Sequence, residues 1–169
     1  MNPFLAVAFC VLSAFAWAAE DRPNEYFDPD VQRLIKADMF AFGGVGFVGR
    51  ISDGEKAFGA IVRKKEAIRF IVAAFEYGGE HARCYALVAL RETSPSLFRE
   101  SIARVRKTPP KKITVMSGCV MSHMKPETVY DAIEAGTYAE WFKHYEERAE
   151  QPPKPTSVQA PEPMPHLGR

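Results

Sequence analysis

The sequence predicts an all-α domain of six or seven short helices packed as antiparallel pairs, with at most one short β-like segment. Three observations carry this expectation. Helix-start signatures recur along the chain, at Asp28-Pro29-Asp30, Ser52-Asp53-Gly54-Glu55, Ser94-Pro95 and Pro126-Glu127. Between them apolar residues return every three or four positions, the period of a helix with one buried face. Only Lys112–Met116 (KITVM) has the β-branched alternation of a strand.

Each element has a local cause. At Asp28-Pro29 a capping oxygen precedes proline at the first helical position, and Val31, Leu34, Ile35 and Met39 follow at helical spacing. Ser52 and Glu55 have the spacing of a capping box, ahead of Phe58, Ile61 and Val62. A third helix spans about 65–77 with Ile68, Ile71, Val72 and Phe75 on one face, and Gly78-Gly79 ends it. The stretch 80–92 is apolar almost all round between Cys84 and Leu90, as a helix in the middle of a stack must be. Ser94-Pro95 opens a fifth helix carrying Leu97, Phe98, Ile102 and Val105, which Pro109-Pro110 terminates. Residues 116–125 read as a loop. Pro126 starts a sixth helix that ends at Gly136, and Tyr138, Trp141, Phe142 and Tyr145 form the apolar stripe of a seventh.

Residues 67–106 carry a family-like pattern. A helix, a polar turn, a second helix with Ala82, Arg83, Ala86, Ala89 and Leu90, a proline turn and a third helix follow one another. This stretch resembles the junction between two HEAT-like repeats, in which small alanines let paired helices approach closely. The resemblance implies a binding or scaffolding surface rather than a catalytic one.

Composition places the chain among ordinary globular proteins, with 47% hydrophobic and 25% charged residues and a net charge of +1. That balance gives no global attraction to nucleic acid. Residues 1–19 have an uncharged apolar run from Phe4 to Phe15 and end in Ala16-Trp17-Ala18-Ala19, the form of a cleaved secretory signal peptide. An extracytoplasmic (periplasmic or secreted) location and no stable membrane anchor after cleavage are therefore expected. Residues 20–150 form the single helical domain. Residues 151–169 hold six prolines and few apolar residues, the composition of a disordered tail. Cleavage would remove Cys10 and leave Cys84 and Cys119, which an oxidising compartment would join as a disulfide.

Four regions bear on function. The run Phe42–Gly49 contains Gly44-x-Gly46-x-x-Gly49, but it lacks the preceding strand and following helix of a dinucleotide site. It reads instead as a glycine-permitted loop in which Gly44, Gly46, Phe47 and Gly49 could meet a partner. Arg104, Arg106 and Lys107 begin a basic segment suited to an acidic partner, or else to a helix C-terminus. Seven acids between Glu127 and Glu150 could face that segment within the fold. Met116, Cys119, Met121, His123 and Met124 gather thioether, thiol and imidazole donors, the set that Cu(I) prefers. Cys119, His123 and Glu127 also have the residue types of a thiol nucleophile site, an option that a disulfide would remove. No G-x-S-x-G or H-E-x-x-H is present. The leading expectation is an exported, non-enzymatic module binding another protein, without a cofactor; soft-metal (copper) binding through 116–124 is the alternative.

Overall fold

The Asp28 carboxylate accepts the amides of Asp30 at 3.0 Å and Val31 at 3.4 Å, so the first helix begins where the sequence places it. The computed structural model describes residues 24–150, and the side chains of 148–150 lie outside that description. After a 3-10 turn at Asn24–Phe27 come α1 (Pro29–Ile35), β1 (Phe40–Val45), β2 (Arg50–Ile51), α2 (Asp53–Val62), α3 (Ala67–Tyr77), α4 (Glu80–Thr93) and α5 (Pro95–Lys107). They are followed by β3 (Ile113–Gly118), β4 (Val120–Met124), α6 (Pro126–Glu134) and α7 (Ala139–Glu150).

The all-α expectation is overturned. Alongside the seven α-helices, the described residues contain a four-stranded mixed sheet in the order β2-β1-β3-β4. The stretch 113–116 is the strand the sequence predicts, but it has neighbours on both sides. β1 runs parallel to it, with Phe40 opposite Val115 and Ala41 opposite Met116. β4 returns antiparallel, with Met116 opposite Met121 and Thr114 opposite His123. The glycine-rich run is therefore strand β1, a turn and the short strand β2, and residues 120–124 are an edge strand rather than a loop.

Helices α3, α4 and α5 do pack in sequence, as the HEAT-like stretch implies. The array stops there: α4 also contacts α2, α6, α7 and strands β1 and β3, where a solenoid would place another helix pair. Its buried run Cys84–Leu90 answers to that central position. Together α2, α4 and α7 cover one face of β1. Phe40 and Phe42 point into that face, Phe40 at 5.0 Å from the Tyr85 ring and Phe42 at 5.3 Å from Phe58. Ile113 is fully buried, and Val115 and Met124 pack against the same core. By the alternation of the pleat, Thr114, Met116, Met121 and His123 point the other way.

The parallel strands are fastened by polar side chains from the helices. β2 is two residues long, because Ser52 leaves the sheet to cap α2, and the first half of β1 has no strand on that side. The Tyr85 hydroxyl fills the gap, donating to the Ala41 carbonyl and accepting the Ala41 amide. Two residues on, Glu55 Oε1 accepts the Gly43 amide at 3.0 Å. At the entry to both strands, His81 Nε2 accepts the Thr114 amide at 3.1 Å while Nδ1 faces the Ala37 carbonyl at 3.2 Å. The backbone groups of Ala41 and Gly43, which a longer β2 would satisfy, are satisfied by Tyr85 and Glu55 instead.

Candidate functional site

β1 and β3 are parallel, so their C-terminal ends lie side by side. Val45 stands opposite Gly118, and the Gly46 amide donates to the Gly118 carbonyl at 2.9 Å. Each strand ends there in a tight turn. The β1–β2 turn is built on Gly46 (φ +71°) and Gly49 (φ +62°). Gly44 allows a close approach, since a Cβ there would lie 2.9 Å from the Gly49 carbonyl oxygen. The β3–β4 turn is Gly118-Cys119, with Gly118 at φ +54° in the first turn position, as two-residue hairpins favour.

The two turns present apolar side chains to water. Phe47 is 100% exposed, Val48 77%, Val120 68% and Met121 55%. Arg50, opposite Val45, is the charge beside them on the short strand. Sequence reading singled out Gly44, Gly46, Phe47 and Gly49 in one region and Met116 to Met124 in another. The Gly46–Gly118 hydrogen bond brings these two regions together, and it is the pairing of β1 with β3 that sequence reading missed.

The basic segment lies elsewhere. α5 packs on α4 and leads into the N-terminal end of β3, a strand length away from the turns. Arg104 makes a bidentate pair with Glu76 at 2.8 and 2.6 Å and stacks over Phe75. Arg106 reaches Asp131 at 2.7 Å and Glu134 at 2.9 Å, so part of the basic run meets the acidic run inside the fold. Lys107 is exposed at the end of α5.

The expected Cys84–Cys119 disulfide is absent, and both thiols are free. Cys84 is fully buried within α4, where desolvation pushes its thiol well above the usual range. Cys119 is exposed at a turn that β3 carries away from α4. A disulfide needs its two Cβ atoms to face one another, and the side chain of Cys84, enclosed in the core, does not face one that stands in solvent. Nor is a Cys119–His123 nucleophile pair formed: His123 is four residues down the strand, about 13 Å at the rise of a strand.

Of the soft donors, Met116, Met121 and His123 share the outward face of the β3–β4 hairpin, Cys119 sits in its turn, and Met124 packs toward the core. Among the described residues no group of three or more His, Cys, Asp and Glu is placed to hold a metal ion.

Glu55 is a polar side chain that sequence reading took for half of a capping box. Ser52 Oγ does accept the Glu55 amide at 3.1 Å, but the Glu55 carboxyl turns inward. It is 0% exposed, accepts Tyr145 O–H at 2.7 Å and Gly43 N–H at 3.0 Å, and its Oε2 has no hydrogen-bond partner. Burial raises its pKa above the ordinary carboxyl value, against the lowering effect of those two donors and of His144. With no exposed surface it serves the sheet edge rather than a substrate.

A groove of about 480 Å³ lies between α3 and α5, lined by Ile68, Val72, Ala73, Tyr77 and Leu97. Ion pairs Glu25–Arg69 and Glu76–Arg104 stand beside it. No helix among the described residues is long and apolar enough to cross a membrane. Comparison with protein-family models, with curated proteins and with solved structures finds no match to this chain.

Proposed function

We propose that the protein is an exported, non-enzymatic interaction module that engages another protein through its paired turns. One observation carries the reading. The Gly46–Gly118 hydrogen bond joins two exposed apolar tips, Phe47-Val48 and Val120-Met121, at one end of a sheet whose core-facing side packs on the helices. Exposed side chains of this size contribute little to folding, and apolar patches on a rigid scaffold mark contact sites. Arg50 is the charge nearest by register, so the electrostatic attraction that anionic lipids exert on lysine clusters has little to act on here. Arg104 and Arg106 already hold acidic partners within the fold, which favours the turns over the start of α5 as the contact region. Export rests on the leader-like composition of residues 1–19, which lie outside the described residues, as does the proline-rich tail.

A photo-crosslinking residue at position 48, in cells expressing the full chain, tests the contact. A discrete protein adduct is expected, lost when Phe47→Ser and Val120→Ser are added and absent when the crosslinker replaces Phe27, an exposed aromatic outside the sheet. An adduct pattern identical at positions 27 and 48, or one indifferent to the two serines, would overturn the reading. Intact mass of the protein from its native compartment reports removal of residues 1–19; an unprocessed chain in the cytoplasm would overturn export.

A further inference from the structure

Beyond protein binding, we propose that the outward face of the β3–β4 hairpin is a site for a soft monovalent cation, Cu(I), held by Met116, Met121 and His123.

The register makes the set. Met116 stands directly opposite Met121, and His123 follows Met121 by two residues, so all three project from the same face. Directly opposed side chains have Cβ atoms about 5 Å apart, and the thioether arm has three rotatable bonds with which to converge on one ion. Ile113, Val115 and Met124 occupy the opposite face and pack on the core, so Met124 is excluded from the set.

The donors select the ion. Two neutral thioethers and an imidazole suit Cu(I), whereas Mg2+ and Ca2+ call for oxygen ligands. No carboxylate belongs to the set, and among the described residues no His/Cys/Asp/Glu cluster offers a harder ion a better place.

His123 is also oriented for the role. Its Nδ1 lies 3.2 Å from Thr114 Oγ1, its cross-strand neighbour, which leaves Nε2 for the ion. Metal-binding histidines characteristically use one ring nitrogen for such an orienting bond and the other for the metal. Thr114 is thus a positioning residue. Packing does not account for the site, because Met121 is 55% exposed and His123 is exposed. The copper enters and leaves as Cu(I), so no electron transfer is required of the protein.

The test is anaerobic competition of the purified protein against a coloured Cu(I) chelator, performed in a Cys119→Ser background so that the exposed thiol takes no part. One equivalent is expected to bind. Met121→Leu and His123→Ala should each weaken it at least about tenfold, Thr114→Val about tenfold, and Met124→Leu should leave it unchanged. Ag(I), with the same ligand preference and no redox chemistry, should shift the methyl resonances of Met116 and Met121 but not that of Met124. Met121 and His123 are exposed, and unchanged circular dichroism of their variants keeps a loss of binding distinct from a loss of fold. No uptake, uptake indifferent to Met121→Leu and His123→Ala, or uptake lost with Cys119→Ser would each overturn the site. The experiment needs no protein partner, so its outcome is separate from that of the crosslinking.

Discussion

The Tyr85 hydroxyl holds both backbone groups of Ala41, donating to its carbonyl at 2.7 Å and accepting its amide at 3.0 Å. One phenol from α4 thereby does what a residue of a neighbouring strand would do. Its burial and the nearby Glu55 push its pKa up to about 12, so it remains a donor across the whole range in which the protein would be handled. Tyr85→Phe leaves the ring packing intact and strands two buried backbone groups. A loss of about 1–3 kcal/mol is expected in urea unfolding, since unsatisfied buried groups cost their desolvation. A change below about 0.5 kcal/mol would show that water replaces the phenol.

Glu55 gives a pH dependence of definite sign. Its folded pKa is raised, so its contribution is fully present below the unfolded value of about 4.3 and is lost as pH rises through the folded one. Glu55→Gln keeps the shape and cannot ionise. The stability of the native chain relative to this variant should therefore fall as pH rises above the unfolded value, read from unfolding midpoints in a series of buffers. A flat difference would mean that the Glu55 carboxyl titrates alike in the folded and unfolded chains, so that burial does not raise its pKa.

Asp28 behaves oppositely. Burial alone would raise its pKa, but the Lys64 ammonium at 3.0 Å and the amides of Asp30 and Val31 outweigh it and hold the carboxyl below its ordinary value. Its contribution is present above the unfolded pKa of about 3.9 and is lost as pH falls through the folded one. Asp28→Asn keeps a competent helix cap and removes the charge. The variant should be less stable than the native chain by up to about 1 kcal/mol at neutral pH, with the difference closing in acid.

Tyr145 reaches Glu55 because Gly59 leaves it room: a Cβ at Gly59 would lie 2.5 Å from Tyr145 Cδ1. Gly59→Ala should cost about 1–3 kcal/mol through overpacking, although alanine favours the helix itself. Increased thermal stability in this variant would mean that α7 shifts without penalty.

The two thiols should differ in reactivity. Iodoacetamide on the native protein should label Cys119 and spare Cys84, with Cys84 modified only after unfolding, as read by peptide mapping. Equal labelling of both in native buffer would show that α4 opens readily.

The helices were largely legible in the sequence because their signals are local. Asp28-Pro29, Ser94-Pro95 and Pro126 fix starts by capping and by the fixed φ of proline, and Gly136 at φ +84° ends α6. The sheet was legible only at β3, whose isoleucine, threonine and valine alternate. β1 carries its alternation in Phe40, Ala41 and Phe42 and then runs into glycines, so its signal is three residues long. β4 is an edge with serine, histidine and methionines, and it lacks the β-branched run that a doubly paired strand shows.

The site was legible in pieces. Gly44, Gly46 and Gly49 marked a loop, and Met116, Cys119, Met121, His123 and Met124 marked soft donors, but the faces of these residues depend on strand register, which composition does not carry. Nothing local reveals that the His81 ring bridges Ala37 and Thr114. The same holds for Glu55: the spacing from Ser52 announces a helix start, while the direction of the carboxyl is decided by the strand it must satisfy.

The pairing of Phe40 with Val115 also sets an order of assembly. β1 emerges early from the ribosome and waits through α2, α3, α4 and α5 before its parallel partner exists. Until then the Phe40 and Phe42 rings can bury themselves against the helices, but one edge of the strand stays open. Closing that long loop is an entropic barrier that local helix formation does not lower, so the central strand pair should be the slow step of folding. Any chain released before β3 would expose an unpaired, aromatic-rich strand, the species from which aggregation starts.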